Sequence, residues 1–255
     1  MRVLKKWVKN RIDLTGYEIQ RKKNPARLNR FSHKPSAGSI LEMIGPTGIG
    51  KSTLFASLID ELGKNWFLPR HASELLLSSL DHDAELTYTL RRLLMRKVTR
   101  LYQESNDFWI FSGLLNYSVK VARTDILMRS GFQRGYALDE GVFQVFADEL
   151  LELEKGAQQR LCTGRYLVLL NARDPNTIAK RAFRRHEDRL LRGHFQHPTT
   201  FDMQRKRAIK AMSLYSKVAE SAQDCGVKVL RLFAEDDVSK SREAVLEFSR
   251  RIGRA

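Results

Sequence analysis

Hydrophobic residues follow two patterns along this chain, short continuous apolar runs and longer stretches with helical spacing. The apolar runs are bounded by glycine, proline or polar residues, and they predict buried strands of a parallel sheet. These runs lie at residues 39–44, 66–68, 136–139, 165–171 and 227–232. The stretches between them repeat apolar residues every three or four positions, which predicts helices covering the sheet on both faces.

The predicted helices are long relative to the strands. The first runs over 54–62 and ends at Gly63, a residue that commonly follows a helix end. The longest helical stretch extends from 72 to about 129, with a break near 105–107. Further helices are predicted from Val142 towards Lys155, after Asp174-Pro175, at about 200–223 and at 241–252. Because strands and helices alternate, residues 39–255 are predicted to form one three-layer α/β/α domain.

A glycine-rich loop follows the first predicted strand, and its sequence fits the pattern G-x-x-x-x-G-K-[ST]. The residues expected to bind a nucleotide are Gly45, Pro46, Thr47, Gly48, Ile49, Gly50, Lys51, Ser52 and Thr53. Glycines let the backbone N–H groups approach phosphate oxygens closely, and the next helix presents its N-terminus to them. Lys51 is expected to reach the β- and γ-phosphates and the Ser52 hydroxyl to coordinate Mg²⁺. ATP and Mg²⁺ are therefore the predicted cofactors.

Two adjacent carboxylates end the third predicted strand. Asp139 is expected to bind Mg²⁺, directly or through water, while Glu140 assists it or faces the phosphate acceptor. The alternative is that both simply cap the next helix. A second acidic group, at 81–83, follows no convincing strand and more readily opens a helix.

Arginines are concentrated in the helix predicted after Asp174-Pro175. Arg181, Arg185 and Arg189 are spaced four residues apart and so share one helical face. Guanidinium groups bind phosphate oxygens bidentately and neutralise charge on a phosphoryl group in transfer. The competing interpretation is an ordinary solvated basic helix.

With these features the chain resembles the nucleoside and nucleotide kinase group of P-loop proteins, particularly thymidylate kinase-like and deoxynucleoside kinase-like members. The resemblance rests on residues 45–53, on Leu138-Asp139-Glu140-Gly141, on the arginine helix, which looks like their mobile lid, and on residues 230–237, which in such kinases flank the adenine. It implies a P-loop fold with a five-stranded parallel sheet of order 2-3-1-4-5 and a helical acceptor and lid region. It also implies phosphoryl transfer from ATP to a nucleotide or nucleoside, with Lys51, Asp139 and the three arginines as catalytic residues.

The chain departs from that group where the acceptor should bind. Glu140 stands where thymidylate kinases carry the arginine of an Asp-Arg pair, and Arg70 follows the second predicted strand, where deoxynucleoside kinases place a carboxylate. Arg70 either binds an acceptor that already carries phosphate or is a surface residue. Glu140 and Asp139 are the only candidates for a general base. A sugar or glycan acceptor, a polynucleotide end kinase and a non-kinase ATPase remain alternatives.

The net charge of +16 is concentrated at the start of the chain. Residues 1–38 hold eleven lysines and arginines against two acidic residues, a net +9, and they predict a basic amphipathic helix followed by a linker. Residues 1–19 suit an anionic membrane surface, or they form a helix packed on the domain or a disordered tail. A membrane contact would favour an acceptor used in surface polysaccharide synthesis, whereas nucleic acid would use the same charge for backbone contacts.

Two features bear on location and assembly. No apolar run approaches the length of a membrane span, and two distant cysteines suit a reduced compartment, so the chain is expected in the cytoplasm or at the inner face of the membrane. Whether two copies form a homodimer is left open.

Overall fold

Four strands pair side by side in a parallel sheet among the residues that the computed structural model describes, which are 39–63, 66, 84–104, 108–129, 135–191 and 199–252. The strands are β1 (Ile40–Ile44), β2 (Tyr136–Leu138), β3 (Arg165–Asn171) and β4 (Lys228–Phe233). Their order is β2-β1-β3-β4, and all three neighbouring pairs are parallel. This is the order predicted for these four strands. The predicted second strand is not placed, because Phe67 and Leu68 lie outside the described residues.

Side chains of the sheet alternate between two apolar cores. On β3, Leu167 and Leu169 join one cluster, while Val168 and Leu170 join the other. Since successive residues of a strand point to opposite faces, helices cover both faces of the sheet. The predicted α/β architecture with a parallel sheet is therefore confirmed for the described residues.

Nine helices are described in the same residues. Their bounds are α1 Lys51–Leu62, α2 Ala84–Glu104, α3 Phe108–Arg129, α4 Val142–Val145, α5 Ala147–Leu151, α6 Lys155–Cys162, α7 Pro175–Leu191, α8 Phe201–Asp224 and α9 Val238–Ile252. The prediction of one helix from Val142 towards Lys155 is wrong, because the two short helices α4 and α5 occupy that stretch, and α6, which was not predicted, begins at Lys155. The backbone leaves helical geometry at Phe146 (φ −110°, ψ 30°), whose side chain is fully buried.

A buried cluster of three charged side chains joins β1, β3 and α3. The Arg165 guanidinium donates to the carboxylates of Glu42 and Asp125, and its Nε donates to the carbonyl of Leu161 at 3.2 Å. All three charged side chains are almost completely buried. Periodicity predicted a strand over 165–171 but gave no sign of this cluster, since its members are far apart in sequence.

Several predictions concern residues that are only partly described. The basic segment 1–38, Arg70 and the acidic group at 81–83 lie outside the described residues. Cys162 is buried and Cys225 is partly buried, and neither forms a disulfide within the described residues. Among the helices of the described ranges, none combines the length and the apolar character needed to cross a bilayer.

Candidate functional site

The glycine-rich loop connects β1 to α1 and takes a shape that requires glycine at its first position. Gly45, Gly48 and Gly50 all have positive φ angles, of 147°, 87° and 109°. A Cβ atom at Gly45 would lie 2.1 Å from the carbonyl oxygen of Leu170 on β3. Any side chain at position 45 would therefore push the loop away from the sheet.

Lys51 opens α1 and folds its side chain back into the loop. Its amine donates to the carbonyl oxygens of Gly45 at 2.8 Å and Pro46 at 3.2 Å, and the residue is buried. Burial lowers the pKa of the Lys51 amine to about 8, although the nearby charges of Glu140 and Asp139 act in the opposite direction. The next two residues, Ser52 and Thr53, are exposed on the first turn of the helix.

The predicted carboxylate pair lies where β2 ends, close enough to Lys51 to act on its charge. Burial raises the pKa of the Asp139 carboxyl, and the neighbouring Glu140 charge raises it further. Glu140 in turn accepts a hydrogen bond from the hydroxyl of Tyr117 on α3. Burial and this bond raise the pKa of Tyr117, so the phenol stays protonated as a donor. Sequence reasoning missed Tyr117. Within a largely apolar helical stretch, only its hydroxyl group distinguishes this residue from its neighbours.

A glutamine on α4 reaches across to the glycine-rich loop. The side-chain oxygen of Gln144 accepts from the Gly45 N–H at 3.0 Å, and its side-chain nitrogen donates to the Tyr215 hydroxyl at 2.7 Å. The Gln144 backbone N–H donates to the buried Glu42 carboxylate at 2.9 Å. Sequence reasoning missed this residue too, because its partners lie on other elements.

Two of the three predicted arginines stand over the loop. Arg181 donates through Nη1 to the carbonyl of Ile49 at 2.9 Å and approaches the carbonyl of Ala234 through Nη2 at 3.5 Å. Arg185 lowers the pKa of Lys51 by its charge, which indicates that it lies on the same side of the domain. The side chain of Arg189 lies outside the described part of the chain.

A cavity of about 300 Å³ opens beside the loop. Its walls include Gly50 and Thr53 from the loop and α1, Arg181 and Arg185 from α7, and Phe233 and Asp236 from the end of β4. It therefore continues from the glycine-rich loop towards the segment between β4 and α9.

The far wall of the cavity is fixed by contacts between two loops. Arg173 lies 4.4 Å over the Phe233 ring and pairs with Asp236 at 2.7 Å. The Glu235 carboxylate accepts from the backbone N–H groups of Arg173 and Asp174 at 3.1–3.2 Å. Partial burial acts to raise the pKa of the Glu235 carboxyl, because it disfavours the charged form. These hydrogen bonds outweigh it and hold the pKa below its ordinary value. The loops after β3 and β4 are thus held together.

The side-chain oxygens at this site suit a magnesium ion that a polyphosphate also binds. Ser52 supplies an exposed hydroxyl, and Asp139 supplies a half-buried carboxylate beside Lys51. Within the described ranges no group of three or more acidic, histidine or cysteine side chains is placed to hold a metal alone. Magnesium at nucleotide sites is commonly held by one or two protein oxygens together with phosphate oxygens, so the residues present fit.

Comparisons with protein-family models and with curated proteins find no match to this chain. The function is therefore inferred from the geometry of the loop, the carboxylate pair and the cavity.

Proposed function

We propose that this chain is an ATP- and Mg²⁺-dependent kinase that phosphorylates a small molecule of the nucleotide or nucleoside class. One observation carries the proposal. Lys51 is buried at the glycine-rich loop, with the charges of Asp139 and Glu140 acting on it from the end of β2 and the charge of Arg185 acting on it from α7. Polyphosphate chemistry needs cations that converge on phosphate oxygens and carboxylates that hold the metal.

The cavity supports a placement for the nucleotide. Its phosphates would lie on the loop N–H groups with Lys51, and its base would extend between Arg181 and Phe233. In this proposal the domain has the five-stranded P-loop sheet, with residues 66–68 forming the strand next to β2.

The roles of the reacting groups follow from their charges. Bound Mg²⁺ would neutralise the β- and γ-phosphate oxygens, with Ser52 and Asp139 as its protein ligands. Lys51, Arg181 and Arg185 would stabilise negative charge on the transferred phosphoryl group. Glu140, oriented by Tyr117, would face a hydroxyl acceptor and take its proton as the acceptor oxygen bonds to phosphorus and ADP leaves.

The activity is tested by incubating the purified full-length protein with Mg²⁺-ATP and a panel of nucleosides, nucleoside monophosphates and sugars while ADP release is recorded. We expect ADP release that depends on one class of acceptor and falls by about a hundredfold or more in Lys51→Met. Lys217→Met, which changes an exposed lysine on α8, is the matched control. A folded protein whose ADP release is equally fast without any acceptor would instead be an ATPase.

The basic N-terminus bears on where the enzyme works. We propose a cytoplasmic protein that residues 1–19 can hold at the inner, anionic face of a membrane, since five of these residues are basic and two are acidic.

A further inference from the structure

Gln144 connects the two parts of the candidate site that lie on different elements. It belongs to α4, which begins two residues after Glu140, and its side chain contacts the first residue of the glycine-rich loop. Gln144 and its partner Gly45 are 99 positions apart in sequence. No hydrogen bond within either segment could hold one against the other.

The contact acts on the part of the loop that places the lysine. Gly45 is fixed on one side by the carbonyl of Leu170, which leaves no room for a Cβ, and on the other by the side-chain oxygen of Gln144. The carbonyl of Gly45 is itself the nearer acceptor for the Lys51 amine. Fixing Gly45 therefore fixes the oxygen against which Lys51 rests.

Gln144 is in turn held rigidly at both ends. Its backbone N–H is bound by Glu42, which the buried Arg165 orients, and its side-chain amide donates to Tyr215. The side-chain amide of Gln144 has one orientation, because turning it over would set its NH₂ group against the Gly45 N–H, two donors facing each other. Its oxygen is consequently kept towards Gly45.

We propose that Gln144 is a positioning residue, which sets Lys51 and the Asp139–Glu140 pair at a fixed separation for phosphoryl transfer. This rests on the proposed kinase function, and Gln144 touches no reacting atom. If Lys51 were displaced, its stabilisation of the transition state would fall more than its binding of ATP. The reason is that the transition state depends most strongly on the position of this charge.

The test compares two identical substitutions in the full-length protein. Gln144→Met removes the amide but keeps the side-chain length, and Gln158→Met does the same to a glutamine of α6 that is also partly buried. Gln158 donates to Leu150 and accepts from Ser221, away from the loop. We expect kcat to fall about tenfold in Gln144→Met, with KM for ATP changed less than threefold, and both to stay within twofold of wild type in Gln158→Met.

A second readout does not depend on turnover. The Gly45 amide should lose its hydrogen bond in Gln144→Met, seen as an upfield shift of its proton resonance and faster hydrogen exchange, and should be unchanged in Gln158→Met. If Gln144→Met does not fold, Gln144→Asn keeps the amide but is one methylene too short to reach Gly45, and the same results are expected.

The outcomes separate the two proposals. A wild-type protein that neither binds an ATP analogue nor releases ADP would overturn the kinase function, whatever Gln144 does. An active wild type whose kcat and Gly45 resonance are the same in Gln144→Met would overturn the positioning role alone. Equal losses of kcat in Gln144→Met and Gln158→Met would also overturn it, because they would reflect general loosening of the fold.

Discussion

At the scale of single residues, Lys51 is set apart by the burial of its charged amine at the glycine-rich loop. The same amine without burial would be protonated well above physiological pH. Here the protein surrounds it with loop carbonyls and with the charges of Asp139 and Glu140, and burial still lowers its pKa to about 8. Its charge is therefore present at pH 7 and is lost as pH rises through about 8.

This predicts a pH dependence of nucleotide binding. If protonated Lys51 is the form that binds polyphosphate, affinity for a non-hydrolysable ATP analogue should fall about tenfold between pH 7 and pH 9. Isothermal titration calorimetry at several pH values measures this. In Lys51→Arg the guanidinium stays charged, so its affinity should be flat over the same range. A wild-type affinity that does not change with pH would contradict this account.

At the scale of elements, the cluster of Arg165, Glu42 and Asp125 fixes how the sheet and α3 meet. Arg165 and Glu42 are 123 residues apart, and no pattern in either strand marks them as partners. A buried ion pair adds little to the stability of a protein compared with apolar side chains in place of the whole group. Removing one member alone is different, because the others are left charged and unpaired. The cluster therefore serves the site, since Glu42 also binds the backbone of Gln144.

Arg165→Met should accordingly destabilise the protein by roughly 3–5 kcal/mol. Urea unfolding followed by circular dichroism measures the change. Arg251→Met removes the exposed pair with Glu247 and should cost no more than about 1 kcal/mol. Equal stabilities for the two variants would show that Arg165 is not held as described.

At the scale of the whole molecule, charge is distributed unevenly between the domain and its N-terminal segment. Residues 1–38 carry +9 of the net +16, so the remaining +7 belongs to the rest of the chain. Attraction of basic residues to anionic lipid is about 1 kcal/mol each near the surface and is screened by salt. The N-terminal segment, rather than the domain, should therefore govern any membrane association.

Co-sedimentation with vesicles containing anionic phospholipid tests this. Removing residues 1–19 should lower binding by about tenfold or more at low salt, and high salt should abolish the difference. Vesicles of phosphatidylcholine alone are the control and should bind neither protein. Equal binding by the full-length and shortened proteins would rule out a membrane role for this segment.

Local sequence was sufficient for features whose cause is local. The apolar runs predicted β1 and β3 to within one residue at each end, because a strand buried on both faces needs a nearly continuous apolar run. They also predicted β4 to within one residue, although it lies at the edge of the described sheet with Lys228 and Arg231 exposed. The motif at 45–52 likewise predicted a loop between β1 and α1, since glycine is what its positive φ angles favour. The same approach failed at Phe146, where the apolar spacing of a helix continues but the backbone leaves helical geometry.

The sequence by itself determined the four described strands, most of the described helices, the glycine-rich loop and the candidate charges Lys51, Asp139 and Arg181. Only the tertiary structure decided which distant side chains pair with the polar groups of the site: Tyr117 with Glu140, Gln144 with Gly45, and Arg165 with Glu42. The reason is physical. Backbone shape follows from neighbours along the chain, whereas a buried polar group takes whichever partner the packing of other elements brings within hydrogen-bonding distance.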